Sequence, residues 1–452
     1  MQVADAVESL KPARAIFVAL AAAAAIVAAT PASAAEGYMQ NGIGARNKAL
    51  AGAGVASSTD ATAASLNPAG LTGVESQLDS STSFFNMRGG FSSTGSGGFT
   101  ADGSHTSQKD WLVIPNFAAT WRVNWGFADA IAFTAYGNGG VMTRYADMPN
   151  TSSLCSSGSG AYCGGRMGMV AQQQFFSIAL AKQVSPGVSI GIAPILARQT
   201  MEVEGLSPFA GLSSNSAAFT NRGTDESWGG GVRAGIEWKV MPGLRFGLAG
   251  NSRVYMGKLN RYAGLFAEEG SIDAPPSLQA GLAFDVRPNL TMMLDYKRIW
   301  FSSVRSLSNA STNIAAAYGG DPSYLFGTTN GPGFGMQDMD IYKIALEWKA
   351  NPNLTLRGGY SYNTAPFSSR DADLTAMTLG LAQHHLTAGL KVGLTERMDL
   401  EVSGMYSPRM TLSGEELLNP NRIMTTESSQ FEITVGAVYR FGVDRAAPAP
   451  LK

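Results

Sequence analysis

From Trp228 to Lys239 the chain reads WGGGVRAGIEWK, and the two faces of this stretch differ in kind. Trp228, Gly230, Val232, Ala234, Ile236 and Trp238 fall on one side, while Gly229, Gly231, Arg233, Gly235, Glu237 and Lys239 fall on the other. A period of two marks a β-strand, whose successive side chains point to opposite faces. The pattern returns with Tyr342, Ile344, Leu346 and Trp348 alternating with Lys343, Ala345, Glu347 and Lys349. It returns again with Phe431, Ile433, Val435, Ala437, Tyr439 and Phe441 alternating with Glu432, Thr434, Gly436, Val438 and Arg440. A soluble sandwich would produce the same alternation, so length and aromatic placement decide. Trp228 to Lys239 is twelve residues and Phe431 to Phe441 eleven. Membrane strands need ~9–11 residues, whereas globular strands average ~5–6. Aromatic side chains recur at the strand ends, as the two interfaces of a bilayer require. The expected fold is all-β, a transmembrane antiparallel β-barrel.

Turn chemistry supplies the strand count. Tight turns are read at Val123-Asn124-Trp125-Gly126, Ser185-Pro186-Gly187, Met241-Pro242-Gly243, Arg287-Pro288-Asn289, Asn351-Pro352-Asn353 and Thr395-Glu396-Arg397. Each combines residues that favour a reversal and stands between alternating runs. Six such hairpins give twelve strands, and one strand before the first and one after the last bring the total to about fourteen. An even number lets the sheet close on itself, which leaves no unpaired edge in lipid. The longer connections, near 91–107, 141–169, 204–225, 258–274, 303–338, 364–382 and 411–426, are expected on the outer side.

The start of the chain points to export. Lys11 and Arg14 precede an uncharged, Ala-dominated run from Ala15 to Ala29, and Ala32-Ser33-Ala34 has the small side chains of a cleavage site. Residues 1–34 therefore read as a signal peptide cut after Ala34 or Ala35. The run has fifteen residues. A spanning helix needs ~20. No later apolar run approaches helical spanning length, which excludes a helical membrane protein. Lys+Arg 33 against Asp+Glu 34 leaves no basic footprint for nucleic acid. Cys155 and Cys163, the two cysteines, lie in a Ser/Gly-rich stretch of an exported chain and are candidates for a loop-stapling disulfide.

One segment does not alternate. Glu36 to Ser76 is rich in Ala and Gly, with Gly42-Ile43-Gly44-Ala45-Arg46, Ala51-Gly52-Ala53-Gly54-Val55-Ala56 and Asn67-Pro68-Ala69-Gly70-Leu71 at its centre. A barrel of this size has a lumen wider than its own side chains fill, so a folded plug is a sensible use for such a segment. The bland alternative is a disordered tail; few charges and many helix formers argue against it. The divisions expected are 1–34 signal peptide, 35–76 hatch, 77–442 barrel and 443–452 periplasmic tail.

The Gly/Ala-rich stretch closing with Asn67-Pro68-Ala69 and followed by about fourteen strands resembles the FadL/TodX family of outer-membrane transporters for fatty acids and aromatic hydrocarbons. Pro275-Pro276-Ser277-Leu278, Trp300 after Asp295-Tyr296, and Arg357-Gly358-Gly359-Tyr360-Ser361-Tyr362-Asn363 before Pro366 extend the likeness over essentially the whole mature chain. One departure is the ending, since relatives finish at a terminal aromatic and here Phe441 is followed by Gly442 to Lys452. The resemblance implies that Asn67, Pro68 and Ala69 form the signature turn of the hatch. It also implies that Gly137-Asn138-Gly139-Gly140 is an inward kink of the third strand that opens the wall sideways. On pattern alone, these glycines mark a bulge, a kink or a plain strand end.

The function expected is passive, hatch-gated diffusion of hydrophobic compounds across the outer membrane with lateral exit. Long-chain fatty acids are the leading substrate and monoaromatic hydrocarbons the alternative. Leu206, Phe209, Leu212 and Phe219 in one loop and Tyr262, Leu265 and Phe266 in the next are apolar for exposed loops, and form a groove or pack the loops together. Arg198, Arg253, Lys297, Lys343 and Arg357 are candidates to meet a carboxylate, although most inward cations should pair with acids such as Glu237, Asp295, Glu347 or Glu401. A lipid hydrolase is the remote alternative. Gly187-Val188-Ser189-Ile190-Gly191 matches G-x-S-x-G, but the serine follows a hairpin turn and enters a strand where a nucleophile elbow needs a helix. His384 and His385, adjacent on a strand, point to opposite faces and make no metal pair. No enzyme activity, cofactor, metal or nucleic acid is expected. The partners expected are the ligand, outer-membrane lipid and lipopolysaccharide, and the barrel assembly machinery, with the protein a monomer.

Overall fold

The computed structural model describes residues 36–108 and 111–441. The leader and the tail after 442 read from the sequence lie outside the described residues. Fourteen long strands form the wall. They are β1 (Gln77–Gly95), β2 (Trp111–Trp125), β3 (Ala128–Tyr145), β4 (Met167–Ser185) and β5 (Val188–Glu204). Next come β6 (Asp225–Met241), β7 (Leu244–Asn251), β8 (Ser277–Arg287), β9 (Leu290–Ile299) and β10 (Met339–Asn351). The last four are β11 (Leu354–Asn363), β12 (His384–Gly393), β13 (Met398–Glu416) and β14 (Asn419–Arg440). Each pairs antiparallel with its chain neighbours, and β14 returns to β1 in a register running from Gln77 opposite Arg440 to Gly95 opposite Arg422. The sheet is closed, so no backbone edge faces lipid.

The pleat sorts the side chains inside out. On β6, Trp228, Val232, Ile236 and Trp238 are exposed while Arg233 between them is 3% exposed. On β10, Tyr342, Ile344, Leu346 and Trp348 are exposed, and Lys343 and Glu347 are buried. Greasy outside and charged inside is the arrangement that lipid selects and water rejects. Trp228 and Trp238 stand ten residues apart on one strand. At ~3.3 Å per residue and a tilt near ~40°, that separation gives an apolar band about 25 Å tall. Trp125, Trp348 and Tyr439 lie at the short-turn ends, and Trp111, Tyr296 and Tyr342 toward the other rim.

Five of the six short turns fall where the sequence reading put them, and the first, read at Val123-Asn124-Trp125-Gly126, falls two residues later with Gly126-Phe127 between Trp125 and Ala128. The connection expected at 411–426 is different: β13 runs to Glu416 and β14 starts at Asn419, with Ser413 Oγ and Thr425 Oγ1 2.8 Å apart across the pair. Above the bilayer both faces of a hairpin can be polar, so hydrophobic alternation fades while backbone pairing continues. The strand β1 likewise runs to Gly95, and Gly103–Thr106 folds back along it.

Residues 36–76 fill the lumen. A short helix, α1 (Gly44–Ala49), is followed by two 3-10 turns, Ala61–Ser65 and Pro68–Gly73. Asp60 caps the first by accepting from Thr62 N at 3.0 Å, and Asn67 caps the second by accepting from Ala69 N at 3.1 Å. Proline directly after the cap has no N–H to leave unpaired. The main apolar core lies above this hatch, where the outer loops converge on Met169, Met201, Phe301, Phe334, Met336 and Met377.

Candidate functional site

The hatch is fastened to the wall by charge and by close approach. Arg46 on α1 donates to Glu347 of β10 at 2.9 Å, and Arg357 of β11 bridges the same Glu347 at 2.8 Å to Glu401 of β13 at 2.8 Å. Lys48 pairs with Glu432 of β14. Glu36, at the start of the described hatch, meets Lys343 at 2.5 Å and Lys297 at 2.6 Å. Asp295 accepts from the backbone N–H of Gly54 and of Val55, each at 2.9 Å. Arg233 reaches from β6 to the Ala64 carbonyl at 3.3 Å and to Tyr136 OH at 2.7 Å. Buried charges are stable only when paired in this manner, because an isolated ion loses its hydration.

Asn67 joins three elements. Besides capping its own turn, its Nδ2 donates to Val55 O at 2.8 Å and to Ile236 O at 3.1 Å. The wall is bare where the hatch presses on it: a Cβ on Gly235 would lie 2.1 Å from Asn67 Oδ1, and one on Gly247 would lie 2.2 Å from Val55 O. Pro68 and Ala69 complete the turn and are buried.

Gly137-Asn138-Gly139-Gly140 lies inside β3, which continues to Tyr145. The register against β4 shifts between Gly137 and Gly139, so the feature is a β-bulge. Below it β3 pairs with β2 as far as Tyr136 opposite Asn116; above it, among the described residues, β3 pairs with β4 alone. The freed edge bonds inward to the hatch. Gln40 N donates to Asn138 O at 3.1 Å and Gly140 N to Tyr38 O at 2.8 Å. Gly139 forms a bridge with Met39, and a Cβ there would meet Tyr38 O at 2.2 Å. Beside the unpaired stretch, Leu379 packs with Leu112, Ile114, Phe85 and Met87, and Met142 closes on this cluster.

Two apolar chambers lie between hatch and outer loops. The inner one, a cavity of about 50 Å³, touches Tyr38 of the hatch, Gly140 and Val141 of the bulged strand, Met169, Phe334 and Phe367. The outer one, about 40 Å³, touches Phe99, Tyr162, Phe209, Phe266, Phe326 and Leu374. Met169 and Phe334 line both, so the chambers abut. Of the loop residues singled out by sequence, Leu206, Phe209, Leu265 and Phe266 line the outer chamber. Phe219 and Tyr262 are buried packing residues and Leu212 is a partly buried neighbour. Cys155 and Cys163 are joined, with Cα atoms 5.2 Å apart, in the loop that carries Tyr162.

The five candidate cations are all engaged. Arg198 pairs with Glu226 of β6, and Arg253 with Asp273 at 2.6 Å. Lys297, Lys343 and Arg357 serve the lumen pairs described above. None of the five lines either chamber. Sequence reasoning placed the loops 303–338 and 364–382 on the outer side but missed that they line the chambers with Phe334, Met336, Phe367 and Met377. The available signal was the apolar residues scattered along loops too long to be simple turns. Ser189 sits within β5 and shares a 2.7 Å hydrogen bond with Thr72, so the G-x-S-x-G stretch is a hairpin turn at Gly187 running into plain strand. His384 and His385 contact Tyr360 and Ser361.

Similar architecture occurs in solved structures. The Pseudomonas putida toluene transporter TodX superposes with a TM-score of 0.60 at 16% identity, covering 89% of this chain and 99% of TodX. A Pseudomonas aeruginosa FadL homologue gives 0.63 at 14% identity, covering 90% of this chain and all (100%) of its own. The CymD monoaromatic hydrocarbon channel gives 0.53 at 15%, with 89% and 98% covered. No curated protein sequence matches. Residues 24–376 match the family described as Outer membrane protein transport protein (OMPP1/FadL/TodX). A closed fourteen-stranded wall, greasy outside, with a hatch in its lumen and apolar chambers above it, is thus an outer-membrane transporter of hydrophobic compounds, and the chain belongs to the OMPP1/FadL/TodX family.

Proposed function

We propose that the ligand is an uncharged hydrophobic molecule of monoaromatic size, taken up by diffusion through the two chambers. The observation that carries this reading is the lining. Among the described residues neither chamber presents a Lys or Arg, and the one ionisable acid, Asp373, would repel a carboxylate. A fatty-acid headgroup buried there would lack the partner that a desolvated anion requires. The expectation of long-chain fatty acids as leading substrate therefore yields to the aromatic alternative. Toluene channels and a FadL homologue share this fold alike, so the lining alone carries the choice.

The route we infer starts in the outer chamber, passes Met169 and Phe334 into the inner one, and leaves through the wall between β2 and the upper half of β3. The inner chamber is lined by Gly140 and Val141 of that strand, next to the stretch that lacks a β2 partner. An apolar molecule leaving there reaches lipid without crossing bulk water. Hatch contacts with the bulge make Tyr38 to Gln40 the natural gate of this path. The test is uptake in a deletion strain carrying the gene or an empty vector. Faster accumulation of labelled toluene with unchanged growth on oleate is expected; dependence of oleate growth on the protein with no effect on toluene would reverse the assignment.

A further inference from the structure

One residue that lines the outer chamber carries a buried polar atom with nothing to bond. Among its polar lining groups, Ser306 Oγ donates to Ser271 O at 2.6 Å and Ser311 Oγ to Asp371 Oδ1 at 2.9 Å. Tyr162 OH donates to the Asp373 carbonyl at 2.6 Å. Asp373 itself is 1% exposed, and its Oδ2 accepts from Leu417 N. Its Oδ1 has no partner among the described residues. The nearby cation does not serve it: Arg422 is held by Asp102 at 2.8 Å, by Glu416 at 3.8 Å and by the Thr100 carbonyl at 2.6 Å.

Nor is the carboxyl free to swing away. The short helix Ala372–Thr375 that carries it, and the turn after it, are pinned by Tyr162, by Tyr145 OH to Ala376 O at 2.9 Å and by Thr143 Oγ1 to Met377 O at 2.7 Å. A buried acceptor left unmade costs ~1–3 kcal/mol. A resident water would need two to four polar partners of its own, and the hydroxyls of Ser306, Ser311 and Tyr162 in the lining already donate elsewhere while the rest of the wall is largely apolar.

We propose that Asp373 is a specificity-determining residue of the outer chamber, its free oxygen selecting hydrophobic ligands that carry a hydrogen-bond donor, such as an aromatic hydroxyl, over plain hydrocarbons of the same shape. This rests on the proposed function, which supplies the neutral aromatic body. Burial, reinforced by the Glu416 charge and opposed by the Leu417 N–H, pushes the Asp373 carboxyl up to about 7. Carboxylate and acid are then both present at neutral pH, and either can bond a hydroxyl. A polar group in an apolar pocket discriminates strongly because the wrong ligand leaves it unpaired.

The experiment compares equilibrium binding of 4-methylphenol and para-xylene, which are nearly isosteric, to the full-length protein in detergent, corrected for partition into empty micelles. Wild type should prefer the phenol by about tenfold, Asp373→Leu should abolish or invert that ratio, and Asp373→Asn should keep part of it. Heat-modifiable electrophoretic mobility reports whether each variant retains its barrel, and the near-isosteric Asn variant serves if Leu does not fold. The same ratio in wild type and in a folded variant, or equal binding of both probes by wild type, overturns the proposal while leaving neutral-ligand transport standing. Binding of neither probe overturns both.

Discussion

Asn67 of the hatch holds its amide oxygen where a side chain on Gly235 of the wall would have to stand, 2.1 Å from the position of a Cβ there. The same amide donates to Val55 and to Ile236, so one residue closes the hatch turn, ties it to the preceding loop and fastens both to β6. Replacing Asn67 with Ala leaves the buried Val55 carbonyl and the buried Ala69 N–H without this partner, at ~1–3 kcal/mol each, and removes the bond to the part-buried Ile236 carbonyl. The hatch should loosen while the barrel still assembles. Reduced toluene uptake with unchanged heat-modifiable mobility is the expected result; normal transport would remove the hatch from the gating role.

Gly235→Val tests the contact from the wall side. Its Cβ collides with Asn67 rather than with any neighbouring strand hydrogen bond, and valine favours a strand. Limited proteolysis from the periplasmic side should cut within 36–76 in this variant and spare the wild type. Equal resistance would mean that the hatch can shift without release.

Glu347 is shared by Arg46 and Arg357. Glu347→Gln leaves two buried guanidiniums short of a partner, and breaking such a pair costs about 3–5 kcal/mol. Hydrogen exchange should accelerate in α1 more than in the outer halves of β10 and β11. Uniform exchange across hatch and wall would show that the ion network serves the barrel and not the hatch.

The bulge in β3 gives the lateral route its test. Gly139→Val with Gly140→Thr places a side chain against Tyr38 O and favours a regular strand. Uptake should fall severalfold while affinity for the outer chamber is nearly unchanged. Undiminished uptake in a variant whose β3 is continuous with β2 would exclude exit through the wall.

Asp373 should make the outer chamber pH-sensitive. Burial pushes its carboxyl up to about 7 in the folded loops from an ordinary 3.8, so between those values the folded state binds more protons than the unfolded one. Stability is then fully present below about 4 and is lost as pH rises through about 7, by on the order of a few kcal/mol at most. The groups facing it are Glu416, Arg422 and Tyr162. Loops 364–382 should resist protease better at pH 5 than at pH 8, and Asp373→Asn should flatten the difference. A pH dependence that survives the substitution belongs to another group.

Strands, turns and hatch were legible in the chain because each is written over short distances. Alternation from Trp228 to Lys239 states which face is greasy whatever lies beside it, and Asn351-Pro352-Asn353 reverses the chain wherever it occurs. Asn67-Pro68 announces its own cap, since the side chain and the N–H it accepts from are two residues apart. The chambers were not legible in this way. Met169, Phe334 and Phe367 come from one strand and two loops that meet only when the barrel closes, and nothing local distinguishes Phe209, which lines a cavity, from Phe219, which packs a loop. The inward cations were visible as inward, but whether Arg357 is free or spent depends on Glu347 and Glu401, ten and forty-four residues away in sequence. Asp373 looked like any loop aspartate until burial took its water and left one oxygen without a partner beside an apolar chamber. Periodicity is a property of one strand, whereas desolvation depends on everything packed around a group, and for Asp373 that became definite only in the folded molecule.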